Sequence, residues 1–221
     1  MALLIFAVLS LLVAGELQAG VVVGGTRFIF PADRESISIL LTNTSQESWL
    51  INSKINRPTR WAGGEASTVP APLLAAPPLI LLKPGTTGTL RLLRTESDIL
   101  PVDRETLFEL SIENQSVKVA MRSVFKLFWR PEGLPGDPLE AYQQLRWTRN
   151  SQGVQLTNPT PYYINLIQVS VNGKALSNVG VVPPKSQRQT SWCQAIAPCH
   201  VAWRAINDYG GLSAKKEQNL P

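Results

Sequence analysis

The chain has 221 residues, of which 44% are apolar and 17% charged, and its formal net charge is +5. That composition suffices for one large core or two small ones and excludes a disordered chain. The basic balance does not make it a nucleic-acid binder, because Lys and Arg are scattered and form no basic helix or aromatic-interleaved basic cluster.

Residues 1–19 read as a secretory signal: an apolar run from Ala2 to Val13, then small and polar residues, with cleavage placed after Ala19. The run is short for a transmembrane helix, and no other stretch approaches the roughly twenty apolar residues of a span, so no stable membrane insertion is expected. Removing the segment removes Glu16, its only charge, and leaves a mature chain of +6.

After Gly20, V-V-V-G-G-T-R-F-I-F reads as a strand broken at Gly24 and Gly25 by a bulge or a switch between sheets, with Arg27 directly after the break. Strands follow at Ser36 to Thr42 and Trp49 to Ile55. Thr59 to Pro78, rich in Gly, Pro, Ala and Ser, reads as a long loop. Leu79 to Leu82 and Thr89 to Leu93 flank a turn containing Pro84 and Gly85. Leu107 to Ile112 is a further strand, and Glu113 to Ser116 is turn-like.

Val117 to Arg130 then reads as one long strand without Gly or Pro, closed by Pro131. One parity carries Val117, Val119, Met121, Ser123, Phe125, Leu127 and Trp129; the other carries Lys118, Ala120, Arg122, Val124, Lys126, Phe128 and Arg130. The first half is apolar on one face and basic on the other, whereas the second half is apolar on both, with Lys126 and Arg130 set into it. A half-exposed strand with an apolar row is an aggregation liability unless something pairs with it. The first half therefore asks for a partner.

Seven or so short strands in about 110 residues, with no convincing helical periodicity, indicate an immunoglobulin-like sandwich. The stretch P-E-G-L-P-G-D-P, Pro131 to Pro138, is a stiff linker at a domain boundary. Beyond it, strands are expected near Leu145 to Arg149, Val154 to Asn158, Tyr163 to Val171, Val179 to Val182 and Val201 to Asn207, with a turn at Asn172-Gly173. The expected domains are 20–132 and 138–221. Cys193 and Cys199, an even count in an exported chain, are expected to form a disulfide that supports this small second core. Their spacing fits no common zinc pattern, and one histidine, His200, cannot complete a four-ligand site, so no metal is expected.

Three phrases together go beyond composition: D-R-E-T-L-F at Asp103 to Phe108, F-K-L-F-W-R-P at Phe125 to Pro131, and N-P-T-P-Y-Y with I-N-D-Y-G-G at Asn158 to Tyr163 and Ile206 to Gly211. From about Gly20 to Gly211 the chain resembles the PapD-like periplasmic chaperones of the chaperone–usher pathway. The resemblance implies an all-β chain of two immunoglobulin-like domains set at an angle around a cleft, without enzymatic activity, catalytic residues or cofactors. The implied partners are pilus or fimbrial subunits with an incomplete immunoglobulin-like fold, and an outer-membrane usher. In this family the chaperone lends an edge strand to complete the subunit, a form of strand addition; here Val117, Val119 and Met121 would enter the subunit's groove. Arg27 and Lys126 occupy the positions of the family's two basic cleft residues, which anchor the subunit's C-terminal carboxylate. Glu105, Arg130 and Asp208 match an interdomain charge network. Read as surface pairs, which contribute only about 0–1 kcal/mol each, these three are expected to set domain orientation more than stability.

Two features depart from the family pattern. The link into the donor strand is short, so the strand is expected to cover fewer subunit pockets, and K-K-E-Q-N-L-P after Gly211 points to an abbreviated last strand. The disulfide is read from its own spacing, since the family's bridge, where present, lies nearer the C-terminus. A two-domain immunoglobulin-like secreted adhesion or binding module shares the composition but does not require Arg27 and Lys126 in one cleft. A secreted hydrolase fares worse: there is one histidine, no G-x-S-x-G and no suggestive carboxylate pair.

Overall fold

The computed structural model describes residues 20–58, 71–95, 100–177, 179–194 and 198–221. The expected signal segment, 1–19, lies outside these residues.

The chain forms two β-sandwich domains, each around its own apolar core. In the first, β1 (Val21–Val23), β3 (Ser36–Asn43), β7 (Thr87–Arg94) and β5 (Leu73–Ala76) form one sheet in the order β1-β3-β7-β5. The facing sheet has the order β2-β9-β8-β4-β6, from β2 (Arg27–Pro31), β9 (Ala120–Arg130), β8 (Thr106–Gln115), β4 (Trp49–Asn56) and β6 (Leu79–Leu82). The Gly24-Gly25 break is a switch between sheets. β1 pairs antiparallel with β3, the Gly25 amide donates to the Val23 carbonyl at 2.8 Å, and β2 emerges parallel to β9 in the other sheet. A Cβ at Gly24 would lie 3.3 Å from the Leu40 carbonyl oxygen, so glycine admits the close approach that the crossing needs.

Ile39, Leu41, Leu90 and Leu92 from one sheet meet Phe30, Ile51, Leu110, Ile112 and Leu127 from the other in the first core. Phe30 stacks on Trp129, with ring centroids 5.4 Å apart, and ties β2 to the end of β9. Thr59 to Pro78 is not wholly loop, because Leu73–Ala76 forms β5 against β7.

The long strand is shorter than its sequence suggests. It begins at Ala120, because Ser116 to Val119 close a turn in which the Ser116 amide donates to the Val119 carbonyl at 2.9 Å. Glu113 to Gln115, expected as turn, extend β8 instead and pair with Arg122, Met121 and Ala120. Cross-strand pairing of Glu113 with Arg122, at 3.7 Å, favours continuing the ladder over turning early.

In the second domain β10 (Arg146–Asn150), β11 (Gly153–Asn158) and β15 (Ser186–Thr190) form one sheet. The other has the order β13-β12-β16-β17, with β12 (Ile164–Val171), β13 (Lys174–Ala175), β16 (Cys199–Ile206) and β17 (Lys216–Leu220); β14 (Val181–Val182) also pairs with β12. Asn172 and Gly173, both at positive φ, make the β12–β13 turn. Two strands lack an apolar signature. S-Q-R-Q-T forms β15 by pairing with β11, and K-E-Q-N-L forms a last strand paired with Cys199 to Trp203, fuller than the abbreviated one expected. The Cys193–Cys199 disulfide is present, with both cysteines buried in the second core beside Trp147, Trp203 and Leu220.

An Asx device occurs in both domains. Asn43, in the phrase N-T-S, and Asn158, in the phrase N-P-T, are fully buried at the ends of β3 and β11. The Asn158 amide donates to the Tyr162 and Pro183 carbonyls, each at 2.8 Å, while its Oδ1 accepts from the Thr160 amide and hydroxyl. Asn43 repeats the pattern with Glu47, Leu82 and Ser45. Replacing Asn158 with Ala leaves buried backbone groups unpartnered and is expected to cost about 2–3 kcal/mol. Urea unfolding measures this, and a loss below about 1 kcal/mol would contradict the role assigned to Asn158.

Candidate functional site

The site is built on β9, whose two halves have different surroundings. β2 pairs with it only from Lys126 to Arg130, in the register Arg27 to Lys126 and Pro31 to Arg130. From Ala120 to Phe125 one edge is held by β8, and among the described residues no strand covers the other. Backbone amides and carbonyls on such an edge are a template for another strand.

The register decides which side chains share a face. Ten pairs join β8 to β9 without a shift, from Thr106 with Trp129 to Gln115 with Ala120. Leu127 and Trp129 therefore point into the first core, Phe125 packs against it, and the same row runs out past the core's edge through Ser123 to Met121, which is 45% exposed. Val119, 48% exposed, and Val117, 97% exposed, belong to the turn and not to the strand. Lys126, Phe128 and Arg130 lie on the opposite face, toward the second domain, where Phe128 meets the Tyr163 ring with centroids 5.6 Å apart. The apolar row and Lys126 thus use different faces, with no bulge between them.

Arg27 and Lys126 are brought together as direct partners in the parallel β2–β9 pairing. Arg27 is buried, donates from Nη1 to the Ile206 carbonyl of the second domain at 2.7 Å, and lies 5.9 Å from the centroid of the Phe128 ring. Burial lowers the Arg27 pKa against the raising fields of Asp208 and Glu105. Burial, and then the Arg27 charge, push the Lys126 ammonium down to about 8. Glu109 of β8, buried, stands opposite Lys126 in the ladder, so Glu109, Lys126 and Arg27 form one lateral row across three strands. The row formally carries two partly desolvated cations against one carboxylate, and charge-assisted hydrogen bonds to a carboxylate strengthen where water is excluded.

Glu105, Arg130 and Asp208 also meet. Arg130 donates from Nε to Glu105 Oε1 at 2.7 Å and from Nη1 to Asp208 Oδ2 at 2.8 Å, and Glu105 Oε2 accepts from the Tyr163 amide at 2.7 Å. The network is not a surface one, because Glu105 is only 3% exposed. Burial pushes its carboxyl up to about 7 against the pull of Arg130 and the Tyr163 amide, and the Asp208 charge adds a smaller push in the same direction. Burial also opposes the Arg130 cation, but Asp208 and Glu105 outweigh it and raise its pKa. Sequence reasoning missed the Tyr163 amide, the Ile206 carbonyl and a second interdomain pair, Lys185 with Asp103 at 2.6 Å. The N-P-T-P-Y-Y and I-N-D-Y-G-G phrases hold the first two, as backbone groups that no side-chain pattern announces.

This architecture coincides with a match to two family models: the pili and flagellar-assembly chaperone PapD N-terminal domain over residues 20–135, and the pili assembly chaperone PapD C-terminal domain over 140–217. The chain belongs to the PapD family of pilus-assembly chaperones. Among its relatives, the uncharacterized fimbrial chaperone YcbF of Escherichia coli K12 is 96% identical, over 100% of this chain and 97% of that protein. The chaperone protein FimC of the same strain is 31% identical over 94% of this chain and 87% of its own. Of solved structures, the YadV chaperone has a TM-score of 0.77 at 30% identity, covering 91% of this chain and 100% of that one. The Salmonella enterica SafA pilin in complex with the SafB chaperone also gives 0.77, at 29% identity, covering 94% and 99%.

In the chaperone, removing Arg130 strands a buried carboxylate, which typically costs about 3–5 kcal/mol. Arg130→Ala is expected to lose that much in urea unfolding, and adding Glu105→Gln should recover a large part. A loss below about 1 kcal/mol would show that the network behaves as an exposed pair.

Proposed function

We propose that this chain is a periplasmic chaperone that completes pilus or fimbrial subunits with its own β9 edge and hands them to an outer-membrane usher. The single observation that carries the mechanism is the uncovered edge of Ala120 to Phe125 running directly into the Arg27–Lys126 pair. In this reading residues 1–19 are the signal peptide, 20–132 the domain carrying the donor strand and 138–221 the second domain. The chain acts by binding, without catalysis or a cofactor. A subunit strand lacking a partner adds to the β9 edge through backbone hydrogen bonds that tolerate sequence variation. Val117, Val119 and Met121, the exposed apolar side chains nearest that edge, enter the subunit's groove.

Arg27 and Lys126 take the subunit's C-terminal carboxylate and fix the register. A slip by one residue turns every side chain to the wrong face, so strand addition needs one fixed point. The complex between SafA pilin and the SafB chaperone, a structure of the same architecture, supports a pilin as the class of partner. The fold supports the two-domain division, with the linker Pro131 to Pro138 between the cores.

The testing ligand is a synthetic peptide of alternating apolar residues ending in a free carboxylate. Amidating its C-terminus should weaken binding to the wild type and make little difference to Arg27→Ala; equal weakening in both would remove the anchor assignment. The pH dependence has a definite sign. The Lys126 ammonium is charged below about 8 and neutral above, so affinity for the free carboxylate should be full near neutrality and fall as pH rises through and beyond that value. Lys126→Arg should flatten the alkaline fall, and a fall unchanged in that variant would assign it to another group.

A further inference from the structure

The turn between β8 and β9 is tied to a second turn 71 positions away in sequence. Lys118 Nζ bonds to the Glu47 carboxylate, in the connection between β3 and β4. Glu47 stands on rigid ground. Fully buried Asn43 donates to the Glu47 carbonyl at 2.7 Å and to the Leu82 carbonyl at 3.1 Å, and Ser45 Oγ accepts from Trp49 Nε1 at 2.8 Å. The other turn is equally compact, because Ser116 Oγ accepts from the Lys118 and Val119 amides, both at 3.2 Å. Lys118 and Val117 are its two corner residues. Lys118 stays largely exposed while its Nζ reaches Glu47, and Val117 beside it projects, 97% exposed.

We propose that Glu47 and Lys118 are positioning residues that clamp the tip of the β8–β9 hairpin, so that Val117 and Val119 are held in place before a subunit arrives. The inference rests on the donor-strand reading above. An untethered tip must be ordered on binding, which costs conformational entropy, whereas a tip already held loses less. One exposed ion pair biases such a tip only modestly, by a factor of about two to five in population. The clamp therefore acts chiefly on how often an encounter succeeds.

The test uses the full chain and the same free-carboxylate peptide. Glu47→Gln and Lys118→Gln should each slow association by about two- to fivefold, speed hydrogen exchange at the Lys118 and Val119 amides, and leave the urea midpoint unchanged. Combining Glu47→Lys with Lys118→Glu should restore both association and protection. Identical association and exchange in all these proteins would overturn the clamp. So would a loss in Lys118→Gln that the exchanged pair deepens, because Lys118 would then be meeting the peptide itself. Val119→Glu separates this from the donor reading: it should abolish binding, since it places a charge in an apolar groove. If the peptide binds that variant normally, or does not bind the wild type, the donor reading falls, and exchange at Lys118 and Val119 alone decides whether the pair holds the tip.

Discussion

Ten residue pairs join β8 to β9 in one uninterrupted register, and that ladder fixes the faces on which Met121, Lys126 and their neighbours along β9 lie. It sends Leu127 and Trp129 into the first core and, two residues at a time, carries the same apolar row outward to Met121. On the reverse face it places Glu109 against Lys126 and Glu113 against Arg122, and just beyond its last pair Glu105 meets Arg130. A shift of one residue would put the bases into the core and the apolar row into the cleft. The core anchors this register, because Phe108, Leu110 and Ile112 on β8 and Leu127 on β9 are wholly buried.

The two charge clusters differ in composition. Around Arg130, one guanidinium, two carboxylates and a backbone amide bind both domains together, and the Arg27 cation also feels both carboxylates. Around Lys126 the Arg27 and Lys126 cations lie side by side with the Glu109 carboxylate in the same row, and burial lowers the pKa of both cations. The second domain takes part in both clusters, with Asp208 and the Tyr163 amide in one and the Ile206 carbonyl in the other, and so presents the cleft in one shape.

The open edge is sharply bounded. β2 covers the last five residues of β9 and stops where Arg27 meets Lys126, because the chain reaches β2 only after crossing from the other sheet at Gly24 and Gly25. The two glycines thereby set both the length of edge left uncovered and the placement of Arg27. At the far end the hairpin turn closes the strand at Ala120, and its Lys118–Glu47 pair ties that end to the domain body.

Much of this is legible in the order of residues along the chain. Alternation and turn residues indicate the all-β class, the two cysteines indicate their bridge, and the phrases around Glu105, Lys126 and Asp208 point to the PapD-like resemblance. Local physics supplies these signals, since alternation reports a half-buried strand and Gly-Gly reports a break in one, whether bulge or switch. The polar strands Ser186–Thr190 and Lys216–Leu220 are illegible because an edge strand owes its existence to the neighbour it pairs with, not to its own side chains. Whether Glu105 is buried or exposed depends on the second domain closing over it, and a charge in sequence looks the same in either place. The sequence alone determined which residue types stand at which parity along Val117 to Arg130. Only the tertiary structure decided where that strand begins, which of its edges is uncovered and which face meets the second domain, because each depends on chain segments far away in sequence.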